Sequence, residues 1–368
     1  MRARILASKR NASILRRRRT EALRRFVLPR GLAAVAALVC LALVSGCQLV
    51  NRPSAAQGIQ GRIAWPKDGD LWIYDVNSKQ QTKISSLPSG AAVTGASWSP
   101  DGQRILFAQF WRRPNERSSG ADLMVANADG SNAHPFVERD EPNTVLESPE
   151  WMPSGSVYYV TRVVTNGRES QSIVRRHTEN GPAETVVDNA YGPAVSPDES
   201  TLIYIRGSRV GQTMLKKTIG DAGDGCELIS DQVFQYLSLP RISPDGKRVA
   251  FGGSGEATKQ PSGCGGDPHN PPRAEGSPVV LELAAGLFTP VVAEAHGLPA
   301  DVYSLKLDGS ELTRIADIKD DDPTLAWSPD GAKLAIFGVS ALYVVDARGG
   351  PVAKLVDQGG YGGLDWSR

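Results

Sequence analysis

The chain has 368 residues, 38 glycines, 25 prolines and a net charge of only +1; that length suits one large domain or two ordinary ones, and the turn-forming content points to an all-β body. The near-zero balance hides a split, because residues 1–30 hold eleven Lys or Arg against the single acid Glu21, which leaves the rest near −9. So acidic a body is excluded as a binder of phosphate backbones, no nucleic-acid partner is expected, and the Arg16–Arg19 run is read as targeting.

The basic segment is followed by an uncharged apolar run from Gly31 to Val44 and then by Ser45-Gly46-Cys47, the order of an export signal. The run falls short of the roughly 20 residues of a spanning helix. Val44-Ser45-Gly46-Cys47 resembles the bacterial lipobox, which implies cleavage before Cys47 and acylation of that cysteine. An uncleaved membrane anchor is the alternative. Residues 1–46 are thus expected to be a lipoprotein signal peptide and 47–60, polar and strandless, a tether. The expected location is exported and lipid-anchored, in the outer membrane and periplasm or on the extracellular face of the cell membrane. With Cys40 in the signal and Cys47 lipidated, Cys226 and Cys264 are the only thiols of the exported body. An oxidising compartment suggests a disulfide between them; two unpaired thiols are the alternative.

From Gly61 a hairpin pattern recurs. Trp98-Ser99-Pro100-Asp101-Gly102 is repeated outright at Trp327-Ser328-Pro329-Asp330-Gly331. Ile242-Ser243-Pro244-Asp245-Gly246 and Val195-Ser196-Pro197-Asp198 vary its edges, Trp151-Met152-Pro153-Ser154-Gly155 is a worn copy, and Asp365-Trp366-Ser367 begins a sixth. Proline presets φ for the turn and glycine supplies its left-handed residue, while apolar runs on both sides make a β-hairpin. The steps between prolines 100, 153, 197, 244 and 329 are 53, 44, 47 and 85 residues. Propeller blades run at about 40–45, so an insertion at 253–300 is expected in the fifth, with a hairpin at Val279–Leu283 and Phe288–Val292; a degenerate seventh blade is the alternative. The first copy, Arg62-Ile63-Ala64-Trp65, lacks a preceding strand and Gly362–Ser367 supplies one to spare. The expected fold is therefore an all-β, six-bladed β-propeller over 61–368, closed by the C-terminal strand completing the first blade, with seven blades as the alternative.

The repeated Trp-Ser-Pro-Asp-Gly followed by a basic residue and an apolar run resembles the WD40-like, PD40-type β-propeller repeat of the TolB family. The resemblance covers residues 61–368 and implies architecture more than function. TolB-family proteins carry a separate α/β domain before the propeller that binds envelope partners; here a short tether stands in that place, so a role in the Tol–Pal system does not carry over.

The repeated turns are read as structural. His134, His177, His269 and His296 fall in expected turns or loops without metal-ligand spacing, and no nucleophile elbow or phosphate loop is found. No catalytic residue, metal or cofactor is expected. Function is expected on the face carrying the loops between second and third strands and the links between blades. There Phe110, Trp111, Arg112 and Arg113 offer the aromatic and arginine mixture of binding hot spots, and Asp320, Asp321 and Asp322 form an acidic link. The leading expectation is a membrane-anchored, non-catalytic binding propeller of the cell envelope whose partner is an envelope protein, peptide or other envelope component. The alternatives are a metal-assisted hydrolase or lyase using channel carboxylates, with Asp320–Asp322 as ligands, and an accessory or sensory subunit of a membrane complex.

Overall fold

Each full copy of the repeated turn closes on the same hydrogen bonds. In the computed structural model, which describes residues 59–165, 168–208, 211–255, 257, 264 and 299–367, the Ser99 hydroxyl donates to Asp101 Oδ1 (2.5 Å) and accepts from the Arg104 amide (2.9 Å). Gly102, at φ 66°, donates its amide to the Ser99 carbonyl. Ser196, Ser243 and Ser328 repeat the arrangement with Asp198, Asp245 and Asp330. The turn launches an apolar strand, and further antiparallel strands follow.

Among the described residues there are 25 strands and no helix. The first meander is β1 (Arg62–Lys67), β2 (Asp70–Asp75) and β3 (Gln80–Lys83); the next is β4 (Ala92–Trp98), β5 (Arg104–Trp111), β6 (Gly120–Asn127) and β7 (His134–Val137). Then come β8 (Thr144–Trp151), β9 (Val157–Thr165), β10 (Arg168–Arg176) and β11 (Ala183–Asp188), followed by β12 (Tyr191–Val195), β13 (Thr201–Gly207), β14 (Gln212–Thr218) and β15 (Cys226–Ile229). The next group is β16 (Tyr236–Leu237), β17 (Arg241–Ile242), β18 (Arg248–Ser254), β19 (Pro299–Lys306) and β20 (Thr313–Asp321). The last is β21 (Thr324–Trp327), β22 (Lys333–Phe337), β23 (Leu342–Asp346) and β24 (Ala353–Val356), before β25 (Asp365–Ser367).

The last strand pairs antiparallel with the first, Ile63 opposite Trp366, so that one sheet reads β25-β1-β2-β3. A single parallel bridge, Ala121 to Val145, joins the second and third meanders into one eight-stranded sheet. Second strands such as β5 and β22 are apolar without alternation because both faces are covered by neighbouring sheets. Each hydrophobic cluster joins two successive strand groups; Ile63, Trp65 and Trp366 pack with Phe337, Leu342 and Val344 of the last meander.

Several details differ from the sequence expectation. The tether boundary at residue 60 runs too far, since Ile59 packs on that cluster and the Gln60 carbonyl accepts from Trp366 Nε1 (2.9 Å). Phe110 and Trp111 continue β5 rather than opening a loop, and His134 starts β7 rather than lying in a turn. The first strand of the fifth group is broken into β16 and β17 around Ser238–Pro240, where proline withholds a ladder donor. Cys226 on β15 and Cys264 are joined, with Cα atoms 5.6 Å apart. The lipobox, Cys47 and the hairpin expected at 279–292 lie outside the described residues.

Candidate binding channel and its mouth

The residue before the tryptophan of each repeat, or before its valine or isoleucine substitute, is Ser97, Glu150, Ala194, Arg241, Ala326 or Asp365. A strand alternates its side chains, so a shared register gives these positions a shared direction. Five of the six line one cavity of about 280 Å3, together with the turn prolines Pro153, Pro197, Pro244 and Pro329. A second cavity of about 240 Å3 lies toward the strand starts, lined by Tyr191, Tyr236, Asp322 and Gly362. Ala96, Pro149 and Arg241 line both, so the two adjoin at Arg241 as one candidate channel.

The channel side chains stitch successive first strands together. Asp365 Oδ2 accepts the Trp98 amide (2.8 Å), Ser97 Oγ accepts the Trp151 amide (3.0 Å), and Glu150 Oε2 accepts the Val195 amide (2.9 Å). Glu150 reaches the channel because β8 bulges between Glu147 and Glu150, with Ser148 at φ 52°. Its other oxygen stands 3.6 Å from Arg241 Nη1. Only 14% of the Glu150 side chain meets solvent, along the channel. Enclosure by protein pushes its carboxyl up to about 7, with Asp365 adding to the rise and Arg241 and the Val195 amide opposing it. Asp365 is raised for the same first reason, against the amides of Trp98 and Trp366. Its Oδ1 accepts from Trp366 N (2.8 Å) and its Oδ2 also faces the Ser97 hydroxyl at 3.3 Å. Three of the four carboxylate oxygens accept backbone amides and Glu150 Oε1 faces Arg241, so both side chains hold neighbouring first strands in register.

At the mouth, tyrosines and carboxylates meet. Tyr236 donates to Asp322 Oδ1 (3.2 Å), Tyr361 donates to Asp321 Oδ2 (2.8 Å), and Tyr191 accepts from Gln212 Nε2 (2.7 Å). Burial, then the Asp322 charge, raises the Tyr236 hydroxyl far above its ordinary value. Asp320 turns away, accepting the amides of Val339 and Ser340 at 3.2 Å each. The three aspartates thus diverge to three different partners, and among the described residues no group of three or more His, Cys, Asp or Glu stands together as a metal site.

The other expected patch is divided. Phe110 and Arg112 are exposed, whereas Trp111 Nε1 and Arg113 both donate to Asp122 at 2.6 Å. Arg139 reaches the same carboxylate (2.8 Å) and Glu116, and lies over the Trp111 ring. The structure therefore brings Trp111 and Arg113 together with Asp122 and Arg139, away from Asp320–Asp322. The channel positions escaped the sequence reading because it followed the residues that repeat. The signal was the opposite one: a single register position whose occupant changes from copy to copy.

No family model matches the sequence, and no curated protein matches it. Solved structures do. The chain is similar to TolB from Acinetobacter baumannii at 15% identity and a TM-score of 0.57, over 84% of this chain and 68% of that one. It is similar to a TolB-type structure from Agrobacterium tumefaciens at 15% identity and 0.54, over 84% and 99%. The fold is that of a TolB-like β-propeller. A protein of a nidogen/laminin complex shares it at 8% identity and 0.54, over 83% and 98% of the two chains. At such identities the likeness establishes the propeller and carries no partner or activity with it.

Proposed function

We propose that this TolB-like propeller is a non-catalytic binding module of the bacterial cell envelope, exported and held to its membrane by a lipid on Cys47. In this reading it has six blades, β25 completing the blade of β1–β3, and it engages an envelope protein or peptide on the face where the links between blades meet. The observation that carries the reading is the channel mouth, lined by Tyr191, Tyr236, Glu147 and Asp322, beside which exposed Tyr361 donates to Asp321. Tyrosine supplies large contact area with a polar tip at low entropic cost, and carboxylates select donors and cations. The test is site-specific photo-crosslinking from position 361 in the native envelope. A discrete adduct that disappears with Asp321→Asn/Asp322→Asn, while the fold persists, is expected. Absence of any adduct above that from an exposed position such as Asp129 overturns the reading.

One observation favours a second reading, a hydrolase or lyase using channel carboxylates: Glu150 titrates near neutrality. It requires turnover that Glu150→Gln abolishes without loss of folding. The commitment of the Glu150 and Asp365 oxygens to backbone amides and Arg241 weighs against it.

A further inference from the structure

Between the first and second meanders the sheets are of unequal length. The outer strand β3 has four residues, all exposed, whereas the facing strands β5 and β6 have eight each. One face of β5 and β6 therefore extends beyond its neighbour. Phe107 opposite Met124 and Gln109 opposite Asp122 lie on that face, which the chain from Ile84 to Pro88 only partly covers. The result is a cavity of about 400 Å3, walled by Leu71, Ile84, Leu87, Phe107 and Met124 around Gln109.

Gln109 is the unusual member. It is only 5% exposed, and its carboxamide has no hydrogen-bond partner among the described residues. Its two polar atoms are not sealed from solvent, because the cavity reaches them, and a polar group so placed is paired by water or by a ligand. The adjoining charge is already compensated, since Asp122 takes hydrogen bonds from Trp111, Arg113 and Arg139. An anion would meet the carboxylates of Asp122 and Glu138 at the same end, and a cation the two arginines. A neutral group with one donor and one acceptor matches the carboxamide at both of its atoms.

We propose that this inter-blade cavity binds a small neutral molecule carrying an amide edge on an apolar body, with the amide paired to Gln109. The volume lies within the roughly 300–1,000 Å3 of small-molecule sites, and an apolar wall with a few polar groups, here Gln109 beside the paired Asp122 and Arg113, is their usual composition. The site is separate from the channel and is independent of the function proposed there.

Benzamide, a ring with a primary carboxamide, is the probe, titrated into the processed full-length protein. The readouts are the Trp111 indole N–H and the Met124 methyl resonances. Saturable shifts are expected, with a Kd on the order of 1–10 mM for so small a ligand. Gln109→Leu should weaken benzamide at least about fivefold while ethylbenzene, which lacks the amide, binds undiminished. Ala133→Trp, at an exposed rim position where folding is not at stake, should block both ligands. It also keeps the test intact if Gln109→Leu does not fold. No saturable shift, unchanged benzamide affinity in Gln109→Leu, or retained binding in Ala133→Trp each overturns the proposal.

Discussion

Arg139 exposes none of its side chain yet carries a full charge, and its guanidinium is held by Asp122, Glu116 and the Trp111 carbonyl. Removing one partner from such a set leaves buried charge uncompensated, which costs about 3–5 kcal/mol. Arg139→Met should therefore lower stability by roughly 3 kcal/mol, read as a fall in the urea midpoint at unchanged slope. Glu150 makes the second single-residue prediction. Its folded-state carboxyl sits near 7 against an ordinary 4.5, so the folded protein holds the proton more tightly than the unfolded chain. The stabilisation is complete below about 4.5 and is lost as pH rises through about 7, an effect on the order of 3 kcal/mol. Melts between pH 5 and 8 should show the decline, and Glu150→Gln should flatten it. A flat wild-type profile refutes the assignment.

The turn is the element that the chain repeats most closely, and its energetics are local. Ser328 donates to Asp330 and accepts from the Lys333 amide. Ser328→Ala should cost about 1–2 kcal/mol, because the Asp330 carboxylate loses its donor and the amide its acceptor. Thermal melts check it. Ser196 holds the Asp198 carboxyl down to about 2, so the stabilisation from this turn is present at neutral pH and lost as pH falls toward that value. These turns and their apolar strands were legible in the sequence because every copy needs the same torsions and the same burial. The bulge at Ser148, the split of β16 from β17 and the extension of β5 to Trp111 were not. Each depends on what a neighbouring sheet covers, and strand periodicity carries no record of that. The channel was illegible for a related reason: Glu150, Arg241 and Asp365 lie far apart in the chain, and only the shared register brings them to one axis.

At the scale of the molecule, the pairing of β25 with β1 sets the stability of both ends. Trp366 is 5% exposed, packs with Ile63 and Trp65, and donates to the Gln60 carbonyl. Deleting Gly362–Arg368 removes that side chain, worth about 3–5 kcal/mol by comparison with other core aromatic truncations, and bares the edge of β1. The deletion should melt far below the parent and elute partly as aggregate in size exclusion. The matched control must end before Ile59, because Ile59 and Gln60 already belong to the packed body; deleting 54–58 should leave the melt nearly unchanged. Equal melts for the two deletions would refute the claim that the last strand carries the first sheet.

The same pairing dictates when the protein becomes whole. Gln60 and Trp366 are 306 residues apart in the chain, and contacts of such long range form late and slow a fold. While a nascent chain still lacks Asp365–Ser367, the Arg62–Ala64 edge has no partner, and an apolar unpaired edge is a template for self-association. Completion of the first sheet therefore waits on the emergence of Trp366, and until then the edge of β1 stays open to self-association.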